Sequence, residues 1–179
     1  MGALTKKAVV LVAVVLIAVV AVVYVLLGLR AEGADPLGLL RDYEVPPGEY
    51  GSPQFITQGL PAGFQADTPT VENSWYPDGT PVVIKVISYT KEPDTMVIAQ
   101  ILDACGETFT SNTPELDKYT FEMTNIGGNR AVKYAEENVS GYVWYYGGYS
   151  IAIYTSSAGF PGYLSDFAEI YMNEYPSTL

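Results

Sequence analysis

From Ala8 to Leu29 the chain runs for 22 residues without a charged side chain. As a helix this run measures about 33 Å, enough to cross the hydrocarbon of a bilayer with its backbone groups paired internally. Lys6 and Lys7 precede it, and Arg30 is soon followed by Glu32 and Asp35. The positive-inside bias therefore predicts a cytoplasmic N-terminus over 1–7, a transmembrane helix over 8–29 and the remainder outside the cytoplasm. A cleaved export signal usually has an apolar region of only about 7–15 residues, although Ala31-Glu32-Gly33 would serve as a cleavage site. A lipid-anchored lipoprotein would need a cysteine directly after the run, and the single cysteine is Cys105.

After the run, seven basic residues face 20 acidic ones, a formal charge of −13. Such a surface repels phosphate backbones and anionic headgroups, which excludes nucleic acid as a partner and argues against peripheral binding to acidic lipid. One cysteine cannot form an intramolecular disulfide, so packing and hydrogen bonds must hold the fold. Histidine is absent, which removes the commonest general base and the commonest metal ligand. No P-loop, dinucleotide fingerprint or G-x-S-x-G elbow is present, and no cofactor is expected.

Residues 30–69 are dense in proline and glycine and read as a juxtamembrane stalk, with Phe55, Ile56, Leu60 and Phe64 laying its last part on the domain. The folded domain is expected over 70–179. Val71, Asn73 and Trp75 alternate, and a turn at Pro77-Asp78-Gly79-Thr80 leads to Val82, Ile84 and Val86. Pairing across Asp78 and Gly79 predicts a hairpin with Trp75 opposite Val82 and a common apolar side. Val97, Ile98, Ile101, Leu102 and Cys105 then follow a period of 3.6 with Gly106 as a stop, which predicts a helix carrying Cys105 on its buried stripe.

Two further hairpins are expected around Gly127-Gly128 and Gly147-Gly148, the first placing Met123 opposite Val132 and Phe121 opposite Tyr134. In the second, Tyr142, Trp144, Tyr146, Tyr149, Ile151 and Ile153 share one face, with Val143, Tyr145, Ala152 and Tyr154 on the other. Leu164, Phe167, Ala168 and Tyr171 stand at helical spacing before Pro176. The predicted fold class is α+β: an N-terminal transmembrane helix followed by an antiparallel sheet of five to six strands packed with two helices.

The order of these elements, with Gly127, Gly128 and Ala131 leading into aromatic strands and a closing helix, resembles the PsbP-like family of small extracytoplasmic α+β domains over roughly residues 53–176. The tail Tyr171-Met172-Asn173-Glu174-Tyr175-Pro176 is similar to the ends of archaeal surface proteins. The resemblance implies an extrinsic or accessory subunit of a membrane complex, and it brings no functional residues with it.

The acidic pairs Asp103 with Glu107 and Glu136 with Glu137 lack the geometry of an acid/base couple. A serine meeting Lys85, Lys91 or Lys133 in space is the remaining route to catalysis, since spacing alone does not exclude it. Asn138-Val139-Ser140 is an N-glycosylation sequon, which fits an outside location. Of the 15 tyrosines, Tyr145 and Tyr154 lie off the better core face and are the expected partner surface. The leading expectation is a membrane-anchored, non-enzymatic binding or accessory domain, its partners the lipid bilayer through the N-terminal helix and a protein of a membrane complex or a second copy of itself. A type IV pilin-like filament subunit is the alternative, and a hydrolase or transferase of unfamiliar type ranks below both.

Overall fold

The computed structural model of the chain describes residues 35–179 except 94, 114, 157 and 158. The apolar run at 8–29 lies outside the described residues, and among them no helix is long and apolar enough to cross a membrane. Residues Pro36–Leu179 form one compact unit. Its strands are β1 (Gln65–Ala66), β2 (Thr70–Trp75), β3 (Pro81–Lys91), β4 (Thr95–Leu102), β5 (Thr120–Ile126), β6 (Asn129–Glu136), β7 (Val139–Tyr146) and β8 (Tyr149–Thr155). The helices are α1 (Pro36–Arg41), α2 (Gly106–Asn112) and α3 (Gly162–Glu174), with a 3-10 turn at Leu116–Lys118.

The expected α+β class with five to six strands and two helices is therefore corrected. The strands form one antiparallel sheet of eight, ordered β1-β3-β4-β8-β7-β6-β5, with β2 beside β1 on the outer edge of β3. The main source of the difference is β4, expected as a helix. It lies between β3 and β8, where Val97, Ala99 and Ile101 are buried on one face and Ile98 and Leu102 lie on the other. A strand apolar on both faces loses its alternation, and the remaining pattern of Val97, Ile98, Ile101 and Leu102 imitates a helical stripe.

The two glycine hairpins have the expected registers. Met123 pairs with Val132 and Phe121 with Tyr134, and Trp144 pairs with Ile151 and Tyr142 with Ile153. Gly127, Gly128 and Gly147 hold φ of 56°, 86° and 55°, a region costly for a residue with a Cβ.

One face of the sheet presents Tyr89, Ala99, Ile101, Trp144, Ile151 and Ile153 to α3, which buries Leu164, Phe167, Ala168, Tyr171 and Met172 against them. Their i, i+3, i+4, i+7 spacing turns these side chains to one side of the helix, and each buried one contributes about 1.5–3 kcal/mol. The stretch read as a stalk lies, from Pro36 on, within the compact unit. Leu40 and Phe64 are buried, and Phe55, Ile56 and Leu60 pack on the α3 side.

Phenols hold this irregular stretch in place. Tyr89 donates to the Ile56 carbonyl at 2.8 Å, the Ile56 N–H donates to the Tyr171 hydroxyl at 3.3 Å, and the two hydroxyls meet at 2.5 Å. Burial pushes the Tyr171 phenol up to about 12 from its ordinary 10.0, even against the lowering effect of its hydrogen bonds to Tyr89 and Ile56. Burial also raises Tyr89, Tyr134 and Tyr145. Between the unfolded and folded values the unfolded chain binds fewer protons, so stability falls as pH rises. The contribution is complete below about pH 10 and is lost progressively from there upward. Urea midpoints at pH 9 and 11 should therefore fall steeply for the wild type and less steeply for Tyr171→Phe; equal slopes would remove Tyr171 from this account.

Candidate functional site

The second face of the sheet is closed at one end only. There Leu40 from α1, Phe109 from α2 and Tyr76 pack with Val82, Leu102, Val143 and Tyr145 into a second buried cluster. Next to that cluster the face forms a cleft of about 550 Å³, within the range of about 300–1,000 Å³ of small-molecule sites. Ile84, Gln100, Ala152, Tyr154, Val143 and Tyr134 come from five neighbouring strands of its floor. The walls are Trp75 to Pro77, α2 through Phe109 and Asn112, and the segment carrying Leu116, Tyr119 and Phe121.

The β2–β3 loop sets the rim. The Tyr76 N–H donates to the Thr80 carbonyl at 2.8 Å, the Gly79 N–H to the Tyr76 carbonyl at 2.8 Å, and the Thr80 N–H to Asp78 Oδ1 at 2.9 Å. This five-residue loop pairs Trp75 with Pro81 and Ser74 with Val82, one residue away from the expected register. A one-residue slip sends every side chain of a strand to the other face. Val71 and Trp75 consequently do not share a face with Val82 and Ile84, and Trp75 stands 70% exposed at the edge of the cleft.

Gly141 shapes the floor. Tyr134, Gly141 and Tyr154 are neighbours in one row across β6, β7 and β8. A Cβ on Gly141 would come within 2.6 Å of Tyr134 Cζ, so the Tyr134 ring occupies the space that a side chain at 141 would need.

Among the described residues, none that lines the cleft is charged. Burial, with the neighbouring phenols, raises Tyr134 and Tyr154 above the ordinary tyrosine value. Burial and Asp78 raise Tyr76, and burial, Glu136 and Glu115 raise Tyr119. All four are therefore neutral phenols at physiological pH, and the cleft is uncharged inside a strongly acidic chain.

The expected partner residues separate here. Tyr154 lines the cleft. Tyr145 does not offer a surface: it is 0% exposed and donates to the Leu40 carbonyl at 3.0 Å, because the face away from α3 carries the second cluster. Asn138 is exposed in the β6–β7 turn, while Ser140 of the same sequon is fully buried. Asp103 and Glu107 are both exposed. Cys105 leads into α2 half-buried, and burial and Asp103 push its thiol up, away from the thiolate that reactive cysteines need.

Lys85 Nζ donates to Ser52 Oγ at 2.8 Å and to the Pro53 carbonyl at 3.3 Å. Ser52 is exposed and neither residue lines the cleft. A serine activated by lysine needs a desolvated amine, so this pair reads as a pin for the segment around Pro53. Among the described residues no three His, Cys, Asp or Glu side chains gather as metal ligands would.

Trp75, Gln100, Tyr119 and Tyr134 were not singled out by sequence reasoning. Each joins the cleft only through tertiary placement, and the one available signal was an aromatic, Trp75, at the end of a strand beside the Asp78-Gly79 turn. The chain matches no family model, no curated protein and no solved structure.

Proposed function

We propose that the chain is a non-enzymatic binding or accessory domain, held at a membrane by the apolar run Ala8–Leu29 and facing away from the cytoplasm, with the aromatic cleft as its contact site. The observation that supports this reading is a cleft of about 550 Å³ without a charged side chain among the described residues that line it. Acid–base or nucleophilic catalysis needs titratable groups that converge on a substrate, whereas this lining supplies apolar and aromatic area with a few neutral polar groups. Recognition uses such a surface directly.

The test is purification of the full chain from its native membrane in mild detergent, with intact mass and co-purifying species recorded. A full-length chain with a stoichiometric protein or small molecule is the expected result. Polymers of chains trimmed between Gly2 and Ala8 would replace this reading with a filament subunit. Chains trimmed after Gly33 and recovered from the medium would overturn the membrane attachment.

A further inference from the structure

We infer that the cleft takes an uncharged, largely apolar small molecule and rejects the corresponding anion; this rests on the cleft being the contact site proposed above. Charge decides first. Among the described residues, none of the side chains lining the cleft is a cation that could pair with a carboxylate, sulfonate or phosphate, and none is an anion that could hold a cation. The four tyrosines are neutral at physiological pH, as an unperturbed phenol also is. An ion entering this space would shed hydration without gaining a counter-ion among these side chains. The 20 acidic residues against nine basic ones add a field that disfavours anions further.

Chemistry and shape then narrow the class. Apolar surface exceeds polar surface in the lining, which includes Ile84, Leu116 and Phe121, and a molecule rich in hydroxyls would cover that apolar surface poorly. A peptide strand adds to a sheet edge, whereas this floor is the middle of the sheet, built on β3, β4 and β8 with their backbone groups already paired. What fits is a neutral ring system or chain of the size that clefts in the range of about 300–1,000 Å³ accept, with Gln100 on β4 and the hydroxyls of Tyr134 and Tyr154 as polar groups of the floor.

A matched pair of probes tests this. N-phenyl-1-naphthylamine and 1-anilinonaphthalene-8-sulfonate share their rings and differ by the sulfonate. Residues 36–179 contain both buried clusters and all eight strands, so this fragment is titrated with each probe once a cooperative melt establishes that it is folded. The neutral probe should bind at least tenfold more tightly and quench Trp75 at the cleft edge. Trp75→Phe should lower the quenching, the remainder coming by energy transfer from the buried Trp144. Ala152→Trp, which fills the floor, should weaken the neutral probe at least tenfold; Val143→Phe serves in its place if that variant does not melt cooperatively. Equal affinity for both probes, or unchanged binding in the filled variants, overturns the ligand class. Binding of neither probe overturns it too, and a stoichiometric protein partner found with the full chain would then leave the binding-domain reading standing.

Discussion

Phe167→Ala should lower the unfolding free energy by about 3–5 kcal/mol, the range for removing a fully buried aromatic ring. The ring is 0% exposed. It meets Phe64 edge-on at 5.0 Å and Tyr89 at 4.7 Å, so its loss opens a cavity between α3, the segment before β1 and the middle of the sheet. For a unit of this size, about 2–4 °C per kcal/mol translates this into a fall in Tm of roughly 6–20 °C. Trp75→Ala removes a larger aromatic side chain, yet its exposed position predicts a change within about 0.5 kcal/mol. Thermal melts of both variants decide the matter, and a comparable loss at Trp75 would mean that the rim is packed more tightly than its exposure indicates.

Gly141→Ala should destabilise the domain by about 1–3 kcal/mol, the usual cost of inserting a methyl group into packed space. The added Cβ would stand 2.6 Å from Tyr134 Cζ, 2.7 Å from Tyr134 Oη and 2.8 Å from the Ile153 carbonyl oxygen. The ring can rotate away, whereas the carbonyl belongs to the β8 backbone and cannot. Alanine in a strand otherwise gains about 0.5–1 kcal/mol over glycine, so a destabilised variant identifies the clash as the stronger effect. Adding Tyr134→Leu should recover part of the loss, because the ring contact and not the carbonyl contact is relieved. Additive losses in the double variant would show that Tyr134 and Gly141 are not coupled. In the single variant the displaced ring should also crowd the cleft and weaken the neutral probe.

Local chemistry made the two glycine hairpins legible. Gly127-Gly128 and Gly147-Gly148 permit the positive φ that tight turns demand, and that fixes register for both hairpins. Helix α3 was legible because it covers one face and keeps its other side in water, which preserves a stripe. Strand β4 was not, because its burial on both faces erases the alternation that identifies a strand. The β2–β3 register was missed by one residue because the Asp78-Gly79 pair suggests a two-residue turn, whereas the Tyr76–Thr80 hydrogen bond closes a five-residue loop.

The same double coverage explains the reading of Tyr145 as a surface residue. Tyr145 lies off the better core face of β7, as expected, but α1 and α2 bury that second face as well. The cleft itself was beyond reach. Its lining is drawn from segments between Leu40 and Tyr154 that meet only once the strands are ordered, and none carries a local motif.

The phenols that bind Ile56, Leu40 and, through Tyr175, the Gln54 N–H tie irregular backbone to the sheet and α3, a task that cystines perform in many exported domains. Hydrogen bonds of this kind form and break without an oxidant or an isomerase. The domain can therefore reach its final state in a reducing or an oxidising compartment, and can return to it after unfolding without bridges to reshuffle.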